Sequence, residues 1–167
     1  MRPIARRLWK GFSYISKWLR VPNRYNNNSV IVLMYHGVSS GKGDHINIPL
    51  KRFKKDIEWL DSNFEIIDLV DIMKSTKKEG IQIALTFDDG FRNFYTNALP
   101  ILEEKEIPAT VFINSGLIGS REDKYPKMTE KQIREVVENS CTNIGNHTRN
   151  HVDLTKFYLE KKRKEII

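Results

Sequence analysis

A chain of 167 residues is long enough for one domain with a substantial core, and its composition is that of a globular protein with no low-complexity tract or internal repeat. Its single cysteine, Cys141, excludes an intrachain disulfide framework and a cysteine-rich zinc site. The net charge of +7 sits at the front: residues 1–24 carry seven basic and no acidic residues, and the other 21 basic residues are matched by the 21 acids. The body is therefore neutral, which speaks against nucleic acid as a partner.

Residues 1–21 read as a basic amphipathic helix. Ile4, Leu8, Trp9, Phe12, Ile15, Trp18 and Leu19 recur at helical spacing, with Arg and Lys between them. Charges interrupt every turn, so the segment is neither a cleavable secretory signal nor a bilayer span. It suits an anionic membrane surface, the alternative being a helix packed on the domain or on a partner subunit. The expected location is cytoplasmic, or peripheral at the inner face of a membrane. Residues 22–29 have no periodicity and read as a linker.

The domain, residues 30–167, opens with an apolar run from Val30 that ends in Tyr35-His36-Gly37. Turn formers over residues 39–49 mark a loop. Phe53, Ile57, Leu60 and Phe64 line one face of a helix, Phe64 to Leu69 reads as a strand, and Val70 to Glu79 as a short helix stopped by Gly80. Next comes Ile83-Ala84-Leu85-Thr86-Phe87-Asp88-Asp89-Gly90, an unbroken apolar run meeting two carboxylates and a glycine. Such a run suits a buried parallel strand, and Gly90 permits a sharp turn after it. Taken alone, Asp-Asp-Gly is equally well a plain polar turn.

Tyr95, Leu99 and Leu102 then share a helix face, with Pro100 bending that helix or opening its second half. Pro108 to Asn114 reads as a strand, with Ala109 to Ile113 as its apolar run. Thr129-Glu130-Lys131-Gln132 fits a capping box, and Ile133, Val136 and Val137 follow as a buried face. Cys141 reads as a small buried residue entering a strand over Thr142 to Gly145, which delivers Asn146-His147-Thr148-Arg149-Asn150-His151. A last helix runs from Leu154 to the end.

Alternating strands and helices imply an α/β fold with a parallel sheet. Three strand ends (Tyr35-His36-Gly37, Asp88-Asp89-Gly90 and Gly145-Asn146-His147) would share one rim in a barrel, where such folds carry their chemistry. His147 and His151 stand four apart, so one turn or compact loop can aim both imidazoles at one point. Two imidazoles and a carboxylate suit zinc and neighbouring divalent metals. A lone His-x-x-x-His is more often an unrelated surface pair; the paired strand-end aspartates are what single it out. Two carboxylates allow one to bind metal while the other takes a proton from water.

At these residues the chain resembles the polysaccharide deacetylases of carbohydrate esterase family 4, which carry a NodB-homology domain. Thr86-Phe87-Asp88-Asp89-Gly90 is similar to the family's first motif, and His147-Thr148-Arg149-Asn150-His151 to its second. Leu99-Pro100-Ile101-Leu102, Ile107 to Phe112 and Met34-Tyr35-His36-Gly37-Val38 also resemble it. The resemblance covers about residues 30–160 and implies a (β/α) barrel. It implies that Asp89, His147 and His151 hold a divalent metal, Zn2+ first and Co2+, Ni2+ or Mn2+ otherwise. Asp88 would be the catalytic base acting on an N-acetyl group of a glycan, and Thr148 would brace the histidine loop. His36 would touch substrate or a metal ligand, or else be a core histidine bonded to backbone.

The sequence departs from the family pattern after His151. The family's later motifs supply an arginine that orients the base, an aromatic groove wall and a Leu-x-His general acid, and no histidine follows His151 here. About five parallel strands are expected, fewer than such a barrel needs. The expectation is an incomplete, C-terminally truncated (β/α) barrel that binds metal weakly and turns over poorly. The alternative is a non-catalytic, membrane-associated metal- or sugar-binding relative or scaffold. Aspartate-dependent phosphatases also end a strand in two aspartates, but with one residue between them, and they have no use for the histidine pair.

Overall fold

In the computed structural model, which describes residues 28–72, 80–121 and 124–159, strands are interspersed with helices. In chain order they are β1 (Asn28–Tyr35), β2 (Gly37–Ser39), β3 (Asn47–Pro49), α1 (Leu50–Asn63), β4 (Glu65–Ile67) and β5 (Gly80–Phe87). A π-helical segment (Phe94–Ala98) then runs into α2 (Leu99–Glu104), followed by β6 (Ala109–Ile113), α3 (Glu130–Asn139), β7 (Thr142–Asn146) and α4 (Leu154–Leu159).

The central strand is β5. Along one side it pairs with β1, from Asn28 opposite Gly80 to Tyr35 opposite Phe87. On the other side β4 covers its first half and β6 takes Thr86 and Phe87, with β7 beyond β6. All these pairs are parallel, so the five strands make one parallel sheet that does not close into a barrel. The register puts the carboxyl ends of β1, β5, β6 and β7 on one rim, and that alignment positions the site.

Beneath the rim lies an aromatic cluster. Phe87 sits 4.7 Å from Phe94, 5.4 Å from Tyr35 and 5.9 Å from Phe53 between ring centroids. Ile31, Ile57, Leu60, Ile83 and Leu85 extend this core along the sheet and α1. Burying each such side chain contributes about 1.5–3 kcal/mol, which fixes the strand tips more firmly than loop contacts could.

Thr129 caps α3 as expected: its hydroxyl accepts from Gln132 N, while Gln132 Oε1 accepts from Thr129 N. Pro100 opens the second half of a helix that continues from the π-helical segment, one of the two expected alternatives. Other expectations need correction. Val136 is buried but Val137 is exposed, because α3 meets the core along a strip too narrow for both neighbours. Cys141 is exposed rather than buried: Ser140 Oγ accepts from Thr142 N, closing a tight turn around it. The strand near residue 65 is only three residues long, and β1 begins two residues early, inside the segment read as linker. The loop expected over 39–49 ends in β3, which pairs in parallel with β2 just before it. After β4 a 3-10 turn covers Leu69–Asp71, and the remainder of the helix expected up to Glu79 lies outside the described residues. So do the basic arm at 1–21, most of the linker and the end of the last helix. No described helix is long and apolar enough to cross a membrane.

Candidate metal centre

The β1–β5 ladder reaches one residue past the strand, where Asp88 N donates to the Tyr35 carbonyl at 2.9 Å. The chain then turns through two left-handed residues, Asp89 (φ 70°) and Gly90 (φ 59°). A side chain at Gly90 would bring its Cβ within 2.8 Å of Ile113 Cγ2, so the turn is pressed against the tip of β6. Asp89 is left nearly buried.

The β6–β7 ladder overruns in the same way. His147 N donates to Ile113 O at 2.8 Å, Ser115 N to Thr148 O at 3.3 Å and Gly116 N to Arg149 O at 2.8 Å. Asn114, itself buried, donates from Nδ2 to the His147 carbonyl at 2.6 Å. Thr148 (φ 66°) and His151 (φ 55°) are both left-handed, which curls the loop back over the rim. Left-handed backbone at non-glycine residues costs about 1–3 kcal/mol each and persists where surrounding structure enforces it. Three such residues meet here.

The result is a three-donor cluster. Asp89 Oδ1 lies 3.4 Å from His151 Nε2 and 3.8 Å from His147 Nε2, and the three ligand atoms fall within 4.8 Å of one another. Among the described residues Asp89 Oδ1 is buried and accepts no hydrogen bond. Donors bound to a tetrahedral zinc stand about 3.3 Å apart, close to the spacing seen. An orphaned carboxylate oxygen facing two imidazoles is a donor set that fits a divalent cation. Lys127 closes the opposite side: its Nζ is 3.9 Å from Asp89 Oδ1 and 4.0 Å from the Phe91 ring centroid.

The other expected residues lie as follows. Asp88 is half-buried beside Asp89, and among the described residues its carboxylate makes no hydrogen bond or ion pair. The Thr148 hydroxyl is buried without a partner among the described residues, so this residue ties the loop through its carbonyl instead. His36 is half-buried and stands apart from the cluster, in an open cleft of about 590 Å3 that also holds Tyr35, His45, Arg52 and Asp56. It makes no hydrogen bond among the described residues, unlike a core histidine held to backbone. In that cleft burial, and then the charge of Asp56, push the Tyr35 hydroxyl above its ordinary pKa. Asn114 and Lys127 were not singled out from sequence, and neither belongs to a local pattern that could have revealed it.

Residues 75–167 match the family model described as polysaccharide deacetylase. The chain belongs to the polysaccharide deacetylase family. Among curated members, YxkH of Bacillus subtilis is 28% identical over 140 residues, covering 81% of this chain and 48% of YxkH. The poly-beta-1,6-N-acetyl-D-glucosamine N-deacetylase of Staphylococcus aureus is 26% identical over 152 residues, 80% of this chain and 52% of that one. This family member thus spans about half the length of the curated relatives it matches. Two solved structures share its fold. IcaB from Ammonifex degensii superposes with a TM-score of 0.68 at 23% identity, over 74% of this chain and 55% of that one. The Streptococcus pyogenes deacetylase PplD, solved with acetate, gives 0.68 at 21% identity, over 82% and 64%.

Proposed function

We propose that this chain carries the metal centre of a hydrolase that removes N-acetyl groups from a polysaccharide or glycan intermediate. The observation that carries the reading is the orphaned Asp89 Oδ1 facing His147 and His151 at 3.8 and 3.4 Å. Asp89, His147 and His151 would hold a divalent cation, Zn2+ being the first candidate given two imidazoles and one carboxylate. Bound there, such a cation supplies Lewis acidity toward an acetyl carbonyl and acidifies water.

The chain's own residues supply the rest. Asp88, next to the ligand aspartate and without a partner among the described residues, takes the proton from the attacking water. The left-handed turns at Asp89 and Thr148 hold carboxylate and imidazoles in fixed directions before any substrate arrives. The glycan assignment draws support from the family and from the Staphylococcus aureus relative, a poly-beta-1,6-N-acetyl-D-glucosamine N-deacetylase. The basic arm at 1–21 would hold the protein peripherally on an anionic membrane surface at the inner face of a membrane; without that contact the protein would be cytoplasmic.

One observation favours a second reading, a metal- or sugar-binding relative without turnover: among the described residues nothing orients the Asp88 carboxylate. Acetate release from N-acetylglucosamine oligomers decides between them. Turnover lost in Asp88→Asn and in His151→Ala supports the hydrolase. Zinc binding that needs His147 and His151, without acetate release, supports the binding protein, and zinc binding indifferent to both histidines overturns the two together.

A further inference from the structure

Lys127 is almost fully buried, and its ammonium group points into the metal centre. Its Nζ lies 3.9 Å from Asp89 Oδ1, 3.5 Å from Asn114 Oδ1 and over the face of Phe91. The backbone around it is pinned. Lys127 N donates to Ser120 O at 3.0 Å, Met128 N to Gly90 O at 2.9 Å, and Arg92 N to Pro126 O at 2.7 Å. Phe91 and Lys127 form an antiparallel bridge. The strip carrying Lys127 is therefore fastened to the turn that carries Asp89, and the two backbones cannot separate without breaking that bridge.

We propose that Lys127 is the built-in counter-ion of this centre: its ammonium group balances Asp89 in the metal-free protein and opposes the cation that Asp89 receives. The inference rests on the reading that Asp89, His147 and His151 hold a divalent metal. A buried carboxylate needs a compensating charge, and a buried ammonium likewise. The two imidazoles bring no formal charge as ligands, so Asp89 provides the only negative charge of the trio and Lys127 cancels it. A protonated amine has three donors and no lone pair, so it cannot become a ligand itself. Its effect on an incoming cation is repulsive, and burial keeps salt from screening that repulsion.

The two roles respond to one substitution with opposite signs. Lys127→Met keeps the apolar stem over Phe91 and removes the charge. The metal-free variant is expected to unfold about 5 °C or more below the parent, because Asp89 is left uncompensated. Zn2+ titrated against a chromophoric chelator is expected to bind the variant about tenfold or more tightly than the parent. Lys127→Gln, which retains a polar contact for Asn114, should move both quantities the same way and serves if the methionine variant does not fold. Unchanged or weaker zinc binding in these variants would overturn the proposal, since a lysine that merely fills space or aims Asp89 cannot tighten the site by leaving. Unchanged metal-free stability would overturn its counter-ion half. If His151→Ala binds zinc as well as the parent does, the metal-centre reading fails and this inference falls with it.

Discussion

Asn114 at the end of β6 donates from Nδ2 to the carbonyl oxygen of His147 at the end of β7, across 2.6 Å. This bond turns a backbone position of the histidine loop into part of the sheet's frame. Replacing Asn114 by leucine removes the donor and leaves a buried carbonyl unmet. The loss is expected to be about 1–3 kcal/mol in urea unfolding. Zinc affinity should fall about tenfold as His147 gains freedom. Unaltered affinity in a destabilised variant would show that the loop's three backbone bonds hold the imidazole without help.

Gly116 is the second support. A Cβ there would lie 2.3 Å from Asn150 Oδ1, 2.8 Å from Arg149 Cγ and 3.0 Å from the Arg149 carbonyl. Gly116→Ala therefore pushes on the loop between the two histidines, with a cost of about 1–3 kcal/mol from overpacking. Gly119→Ala is the control, because Gly119 has a φ of 74° but open space around it. Its strain should lower stability by about 1 kcal/mol and leave zinc binding alone. The pair separates displacement of the histidines from general destabilisation. Equal zinc affinities in the two variants would refute the link between Gly116 and the site.

How much of this centre was legible in the sequence depends on the range of the contact. The apolar run into Asp88 and Asp89, and the spacing of His147 and His151, are local patterns, and each named its strand tip. The parallel sheet followed from alternation. Asn114 and Lys127 act across 33 and 13 residues of chain, on His147 and Asn114 respectively, with no periodicity to mark them. The left-handed geometry of Thr148 was hidden for another reason. A β-branched residue is among the least expected at φ 66°, and only the enclosing bonds to Ser115 and Asn114 around it make that backbone persist. Val137 and Cys141 misled because hydrophobic spacing does not reveal how wide the buried strip is.

That geometry yields its own expectation. Among the described residues the Thr148 hydroxyl is buried and unpartnered, and its backbone is strained, so glycine would lose no hydrogen bond there. Relief of about 1–3 kcal/mol of strain is set against about 1 kcal/mol of added chain entropy. Thr148→Gly should therefore be at least as stable as the parent in thermal unfolding, with zinc affinity within about threefold. A marked loss of either would mean that the hydroxyl braces the loop after all.

The edge of the sheet makes a prediction about association. Val32 and Met34 on β1 are 47% and 57% exposed, and among the described residues β1 has a neighbour only on its β5 side. An apolar strand edge is a template for pairing with another chain. Residues 28–167 should self-associate at high concentration, and Met34→Lys should shift the light-scattering mass toward the monomer without lowering zinc affinity. Identical masses for both proteins would remove the edge as the cause.

Acid should loosen the loop that carries β2 and β3, and the sign follows from Asp44. Its Oδ1 accepts from Asn47 N at 2.8 Å and Ile46 N at 2.9 Å, and its Oδ2 from the Tyr125 hydroxyl at 2.8 Å and Lys124 Nζ at 3.2 Å. The two backbone donors first, and then Tyr125, hold the Asp44 carboxyl well below the usual carboxylate range. A carboxyl depressed in the folded state adds stability above its unfolded-state pKa, and that contribution drains away as pH falls below it. The stability difference between the parent and Asp44→Asn should thus be constant above about pH 5 and narrow steadily from about pH 4 toward pH 2. Urea unfolding of both proteins across that range measures it. A difference independent of pH would mean that the contacts to Ile46, Asn47 and Tyr125 do not depend on the charge of Asp44, and that the loop is held by shape alone.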